Sequence, residues 1–378
     1  MILLILRFRS KYIPLKTFSF LFLLTFLISC NTENKPIVPI PSNAPNEAQL
    51  KQIARQYGMF IHFSINTFND IPWSDGSLPA SSYDPTTVDA EQWVKTAKDA
   101  GMNYIILISK HHDGFCLWDS AYTDYDVASS GNDTNVIEEV AKACKKFDME
   151  LGLYYSLWDR KENGNAYING ENTVPYTYVK DSVADQNYNR FMINQLNELI
   201  DITQPYTDVV EFWFDGGWTK ENYRWPLNDI YQTIKSRVPE CQIGVNWSIG
   251  LPENIDYHAV YPEDQKEGYP IRYFPSDFRL GDPMLPANPD PKLFTHKDKT
   301  YYMPWESTVC LSERWFYNTT DSTYKSIAQL TDLYQKATAQ NNILILNAPP
   351  NREGKIRAKD QEILLELKGQ IDSLEGSL

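Results

Sequence analysis

The residues best suited to chemistry sit where short apolar runs end. His62 lies near the end of the run 58–63, and His111-His112-Asp113 follows 103–108. Tyr155 is near the end of 151–156, Trp213 lies within the next run, and Asp215 follows it. Asp215 is flanked by Gly216-Gly217, which lets a substrate approach a carboxylate closely. Such an aspartate can act as a nucleophile or proton carrier, or it can simply cap the next helix or make a turn with its glycines. Trp213 stands two residues before Asp215, on the same side of an extended strand, so its ring would floor whatever pocket the carboxylate faces. Three histidines and an aspartate at strand ends also raise a zinc site. However, such sites on barrels usually open with an H-x-H pair, and here the first strand carries only His62. His111 and His112 are adjacent, and on an extended segment they would point to opposite faces. Contact with hydroxyl groups suits at least one of them, the other packing behind, and no metal or other cofactor is expected.

These residues need a frame that brings strand ends together. Strand patterns are found at 58–63, 103–108, 151–156, 209–214, 242–246, 257–261, 301–305 and 343–347. Helical patterns cover 90–100, 135–147, 185–203, 226–238, 324–339 and 360–374, with helix stops at Ala100-Gly101 and Phe147-Asp148. Strands alternating with helices imply a parallel sheet, and eight of them favour an α/β fold closed into a (β/α)8 TIM-type barrel. The stretch between strands five and seven is Pro-rich and lacks clear helices, so irregularity is expected there. In a barrel of this kind the C-terminal strand ends converge on one face.

The N-terminus reads as an address. Arg7, Arg9, Lys11 and Lys16 precede an apolar stretch, 18–28, that is short for a membrane span and runs through Ser29 into Cys30. The pattern resembles a bacterial lipobox. It predicts a lipoprotein signal peptide over 1–29, lipidation of Cys30, a flexible tether over 30–48 and a catalytic barrel over 49–378. The expectation is an exported lipoprotein, periplasmic or attached to the outer membrane of a Gram-negative cell, meeting membrane only through its lipid. Removing 1–29 takes away four basic residues and no acidic ones, so the formal charge goes from −14 to −18. So acidic a chain is a poor partner for nucleic acid and suits a neutral substrate. Cys116, Cys144, Cys241 and Cys310 are scattered without CxxC pairs and read as buried free thiols. Ten Trp and 24 Tyr supply flat, weakly hydrated rings on which sugar faces can stack.

Longer motifs sharpen this. Tyr57-Gly58-Met59-Phe60-Ile61-His62-Phe63, Lys110-His111-His112-Asp113-Gly114-Phe115 (preceded by Ala100-Gly101-Met102-Asn103-Tyr104), Gly152-Leu153-Tyr154-Tyr155-Ser156 and Glu211-Phe212-Trp213-Phe214-Asp215-Gly216-Gly217 come in order. Trp305-Glu306 and Asn342 to Asn347, with Pro349 and Gly354, follow. Over about residues 50–375 the sequence resembles the α-L-fucosidase family, glycoside hydrolase family 29. The resemblance implies a retaining exo-glycosidase removing a terminal α-linked sugar from an oligosaccharide or glycoconjugate. It makes Asp215 the nucleophile, with His62, His111, His112, Tyr155 and Trp213 at the sugar and Trp73 as a further ring contact.

Three departures bear on that transfer. Where many members carry a glutamate acid/base, the nearest counterpart is Asp277 in Phe274-Pro275-Ser276-Asp277-Phe278-Arg279. Glu306, beside the Trp305 ring, and Glu263 are the other candidates. Family members commonly have an arginine after the fifth strand, whereas Asn246 is followed here by Trp247-Ser248. The usual C-terminal β-sandwich is also not expected. An α-glycosidase acting on a D-galactose-like sugar and a non-catalytic sugar-binding lipoprotein therefore remain as alternatives. Asp113 is expected to fix the histidine segment rather than touch substrate.

Overall fold

The computed structural model describes residues 36–162, 180–220 and 223–376; the expected signal peptide and Cys30 lie outside them. The described part of the expected tether is held against the barrel. The Ile37 N–H donates to Gln232 Oε1 (2.8 Å) and the Ser42 N–H to the Thr300 carbonyl (2.9 Å). Helix α1 (Glu47–Arg55) then begins at Asn46. The Asn46 side chain accepts from the Gln49 N–H, while the Gln49 side chain accepts from the Asn46 N–H, a reciprocal cap that satisfies two otherwise orphaned donors.

Eight parallel strands form the barrel in the order β1 (Tyr57–Ile61), β2 (Tyr104–Lys110), β3 (Glu150–Ser156), β4 (Val209–Asp215), β5 (Gln242–Val245), β8 (Phe278–Arg279), β11 (Glu306–Cys310) and β12 (Ile343–Asn347). β12 pairs back onto β1. The ring closes between β8 and β11 through an isolated bridge of Arg279 with Trp305, where the Arg279 N–H donates to the Pro304 carbonyl (2.8 Å). β1, β2 and β12 are buried along their whole length. That is what a parallel strand covered on both faces requires, and it explains their unbroken apolar runs. Outside the barrel lie α3 (Ala90–Asp99), α4 (Val136–Phe147), α5 (Ser182–Thr203), α6 (Leu227–Arg237), α7 (Ile327–Thr338) and α8 (Ala358–Glu375), while the short α2 (Ile65–Asn69) sits in the loop after β1. Side-chain caps start several of them: Asn135 on α4, Asp181 on α5 and Ser326 on α7. The four expected thiols are buried and unpaired.

Two expected strands are not barrel strands. The run 257–261 overlaps an antiparallel hairpin of β6 (Gly250–Leu251) and β7 (Asn254–Ala259). The run 301–305 overlaps a second hairpin, β9 (Leu293–His296) with β10 (Lys299–Tyr302), whose turn residues Lys297 and Asp298 both have positive φ. Aromatic, β-rich residues satisfy a hairpin as well as a barrel strand, so composition cannot separate the two. The true sixth strand is only two residues long, and β11 starts where the seventh was expected to stop.

That shift overturns two placements. Asp277 precedes a strand instead of following one, so it lies at the opposite end of the barrel from the site. It is paired with Lys235 (2.9 Å) and accepts from the Tyr231 hydroxyl (2.7 Å) and the Ile243 N–H (3.0 Å). Glu306 begins β11 rather than ending a strand, and its carboxylate is buried inside the barrel, where it accepts from the Tyr104 hydroxyl (3.0 Å). Glu211, on β4, lies in the same layer and accepts from Gln52 of α1 (3.2 Å). Glu263, in a single 3-10 turn, is exposed to solvent.

Candidate active site

A cavity of about 560 Å³ opens among the loops that follow the strands, within the range of small-ligand sites. Its floor is aromatic. Phe60 of β1, Tyr154 of β3 and Trp213 of β4 converge there, with Tyr154 and Trp213 stacked at 5.5 Å and 24° between planes. Asp215, which ends β4, projects into the cavity two residues beyond Trp213.

The Asp215 carboxylate is buried, at 7% exposure, but well supplied with donors. The Tyr154 hydroxyl donates to Oδ2 (2.8 Å), and Oδ1 receives the Gly216 N–H (2.8 Å) and Asn246 Nδ2 (3.0 Å). Gly216 adopts φ +76°, and a Cβ there would come within 2.6 Å of the Trp158 Cβ, so only glycine fits behind this aspartate.

The same Asn246 amide also donates to Oδ1 of Asp282, which lies three residues past β8. The Asn246 carbonyl oxygen accepts from the Trp247 N–H (3.0 Å) and the Asp282 N–H (3.3 Å), which fixes which way the amide points. Two carboxylate oxygens bonded to one nitrogen lie no more than about 6 Å apart. Burial raises both carboxyl pKa values, and an ionised Asp282 raises that of Asp215 further. The pair therefore tends to hold one proton. Three donors to Asp215 favour its charged form.

Three imidazoles line the cavity beside Asp215 and the aromatic floor. His62, His111 and His112 all border the cavity, and the His111 and His112 ring centres are 4.2 Å apart. The expectation that these neighbours would diverge is corrected. β2 ends at Lys110 and the two residues sit in a turn, so strand alternation does not apply. Asp113 stays out of the cavity. Its Oδ1 accepts from the Phe115 N–H (2.8 Å) and holds that turn, while burial pushes its carboxyl up to about 7. His62 is pushed down to about 3, mainly by burial, and His112 likewise, with Arg160 the next cause; both are neutral near pH 7. Trp73, 37% exposed, stands over His112 at the rim. Among the described residues no group of three or more His, Cys, Asp or Glu side chains is arranged to hold a metal.

The family model for α-L-fucosidases matches residues 42–370. The chain belongs to the α-L-fucosidase family. It is 31% identical over 353 residues to α-L-fucosidase 1 of Arabidopsis thaliana, covering 90% of this chain and 62% of that one, so it spans about three fifths of that relative's length. A solved glycoside hydrolase family 29 fucosidase of Ruminococcus gnavus, in complex with fucose, superposes with a TM-score of 0.68 at 25% identity. It covers 90% of this chain and 70% of its own. An α-L-fucosidase of Paenibacillus thiaminolyticus, at 23% identity and TM-score 0.64 over 86% of this chain and 76% of its own, speaks for the shared barrel alone.

Within this fucosidase-family barrel, Asp215, His62, His111, His112, Trp73 and Trp213 come together around one cavity, and Tyr155 does not. Tyr155 points outward between barrel and helices, where its hydroxyl donates to Gln195 (2.7 Å). The cavity tyrosine is Tyr154. The phase was readable in Leu151-Gly152-Leu153-Tyr154-Tyr155-Ser156. The two leucines mark the outward face, so Gly152, Tyr154 and Ser156 must face in, in register with Glu211, Trp213 and Asp215. Asp282 was missed altogether. The only signal for it was its position just past Phe278-Arg279, and a two-residue strand is too short to show a period. Trp218, Trp247 and Tyr261 at the rim were also missed.

Proposed function

We propose that this chain is a retaining exo-α-L-fucosidase in which Asp215 attacks the anomeric carbon and Asp282 serves as acid and then base. One observation carries the reading: the Asn246 amide ties both carboxylates together at the cavity floor. Retaining glycosidases hold their two carboxyl groups about 5–5.5 Å apart, while inverting ones need about 6.5–9.5 Å to admit a water. The limit set by the shared amide favours the first class.

In the first step Asp215 Oδ2 or Oδ1 forms a bond to C1 as the C1–O bond to the leaving group breaks. Asp282 passes its proton to the departing oxygen. Water then attacks C1, Asp282 takes a proton back, and the Asp215 ester bond breaks. Tyr154, Gly216 and Asn246 stabilise the carboxylate that enters and leaves the reaction. The rings of Phe60, Tyr154 and Trp213 close the inner end of the cavity, which suits a terminal sugar. The substrate class is a fucose-containing glycan. Export and anchoring through Cys30 belong to the same proposal, resting on the N-terminal pattern alone.

The test is an Asp215→Gly variant assayed on an aryl α-L-fucoside beside the D-galactoside. Wild-type turnover should favour the fucoside strongly. The variant should be nearly inactive and should regain turnover with added azide, giving a fucosyl azide. Sugar binding with no wild-type turnover would favour a binding protein instead, and preference for the galactoside would reassign the sugar.

A further inference from the structure

Two of the cavity histidines are held from behind. His62 Nδ1 lies 2.7 Å from Asn347 Oδ1, and Asn347 Nδ2 donates to the Trp315 carbonyl (2.8 Å) and the Arg314 carbonyl (3.3 Å). Both carbonyls are acceptors only, so the amide NH₂ must face them and the amide oxygen must face His62. An oxygen there requires a hydrogen on His62 Nδ1. His112 is fixed by the same logic through a hydroxyl. Its Nδ1 lies 2.6 Å from Ser156 Oγ, and that hydroxyl donates its one hydrogen to the Trp158 carbonyl (2.5 Å). With that hydrogen committed, Ser156 can only accept from His112, so Nδ1 carries the proton here too. His111 has no such partner: its Nδ1 is buried without a hydrogen bond, 3.9 Å from Asp113 Oδ2.

We infer that Asn347 and Ser156 are positioning residues that lock His62 and His112 as Nδ1–H tautomers, so that both rings present a bare Nε2 acceptor to the cavity and the sugar must supply hydroxyl donors at those points. A neutral imidazole with its proton on Nδ1 has only a lone pair left on Nε2. For His112 this Nε2 lies 3.5 Å from Asp215 Oδ2. Two acceptors then face one small volume, and a hydroxyl hydrogen placed there satisfies either. The lock also keeps His112 from donating to Asp215, which would draw electron density from the nucleophile before attack. Selectivity follows: a substituent that accepts but cannot donate gains nothing at these positions. The inference deepens the fucosidase reading and rests on it for the identity of the sugar, but not for the tautomers.

The experiment has two arms on the full chain. Selective ¹⁵N-histidine labelling, with only five histidines in the sequence, should show two rings with a pyrrole-type Nδ1 and a pyridine-type Nε2 near neutral pH. Ser156→Ala should change one of these patterns and Asn347→Leu the other, while Ser156→Thr restores the first. Ser156→Ala should also move the acidic limb of the pH–rate profile to lower pH, because His112 is then able to donate to Asp215. In the second arm, calorimetry compares L-fucose with its monodeoxy and monofluoro analogues. At two or more ring positions fluorine should bind no better than hydrogen, both losing at least about tenfold in affinity, a change of about 1.4 kcal/mol. Fewer than two rings with a pyrrole-type Nδ1 in the wild type, or fluorine restoring most of the affinity at every position, overturns the inference. If L-fucose does not bind and another sugar does, the fucoside reading falls, and the same comparison on that sugar decides the tautomers. A chain that binds no sugar sinks both.

Discussion

Replacing Asp282 by alanine separates the acid/base from every other carboxylate in the chain. A general acid contributes most when the leaving oxygen is a poor leaving group, and removing one costs about 10²–10⁴-fold. An Asp282→Ala variant should therefore lose about 10³-fold in kcat/KM on a fucosyl sugar, equivalent to about 4 kcal/mol of transition-state stabilisation. On 2,4-dinitrophenyl α-L-fucoside, whose phenolate departs unaided, the loss of kcat/KM should stay within about tenfold. The structure adds a second, independent consequence. Burial raises the pKa of both carboxyls, and Asp282 disfavours the Asp215 charge only once it is itself ionised. The wild type should show a bell-shaped pH–rate profile, its acidic limb set by ionisation of the nucleophile and its basic limb by loss of the acid's proton. In the variant the basic limb should vanish. The acidic limb should stay near its wild-type position, because Asp282 is still protonated, and so uncharged, where Asp215 ionises.

The assay is steady-state kinetics on the two substrates between about pH 4 and 9, with azide added at the end. Once Asp282 is gone, azide should speed turnover of the dinitrophenyl substrate by attacking the Asp215 ester, giving the α-azide. The reasoning is refuted if both substrates lose rate equally, or if the basic limb survives. Either result would mean that the proton comes from another group and that Asp282 only shapes the Asn246 amide.

Other changes read other parts of the structure. Asp277→Ala breaks a buried pair with Lys235 and leaves the Tyr231 hydroxyl and Ile243 N–H without their acceptor. It should cost about 3–5 kcal/mol in denaturant unfolding, and the surviving folded fraction should show no dependence of the defect on leaving group. Tyr154→Phe removes a donor from Asp215 Oδ2 and should lower kcat/KM by about 10–10²-fold, whereas Tyr155→Phe should alter it less than about twofold in the same assay. Glu211 and Glu306 both have folded-state pKa values raised by burial, and by each other's charge for Glu306, so the native chain binds more protons than the unfolded one just above the ordinary glutamate range. Stability should therefore be greatest at and below that range and fall as pH rises through the raised values. A Glu306→Gln variant should show a smaller drop in melting temperature than wild type between pH 5 and pH 8.

The first five strands, the closing strand and six helices were legible, the clearest because they carry a period long enough to read: fully buried apolar runs on β1, β2 and β12, and capped amphipathic stretches on α3 and α4. The nucleophile candidate and the histidines could be placed because they end such runs. The failures have one origin each. Tyr155 was put on the wrong face by a one-residue phase error on β3, and in a strand one residue exchanges core for cavity. His111 and His112 were treated as strand residues, although the strand stops one residue earlier. The hairpins β6–β7 and β9–β10 imitate barrel strands in composition, so counting them displaced β8 and β11. With them went the expected position of every carboxylate in that half.

The proposed acid/base, Asp282, was hidden for a deeper reason than register. Within a barrel, a strand needs only enough residues to bridge its neighbours, and here β8 meets that need with Phe278 and Arg279, pairing with Gly244 and Val245 on one side and reaching Trp305 on the other. The rest of its fixing comes from side chains. Arg279 is fully buried and its guanidinium donates to the Met303 carbonyl, Gln265 and both oxygens of Asp290, with the Lys292 ammonium on the same carboxylate. That network does what length does for β1 and β2: it sets where the chain emerges, and so where Asp282 stands three residues later. Truncating Arg279 would strand Asp290 beside Lys292 and free the exit of β8. Arg279→Met should therefore lower kcat/KM on a fucosyl sugar by at least tenfold while the dinitrophenyl substrate loses much less, repeating the signature of Asp282→Ala from about three residues away. No loss on either substrate would show that Asp282 is positioned by Asn246 alone, and equal losses on both would show that Arg279 acts elsewhere than on Asp282.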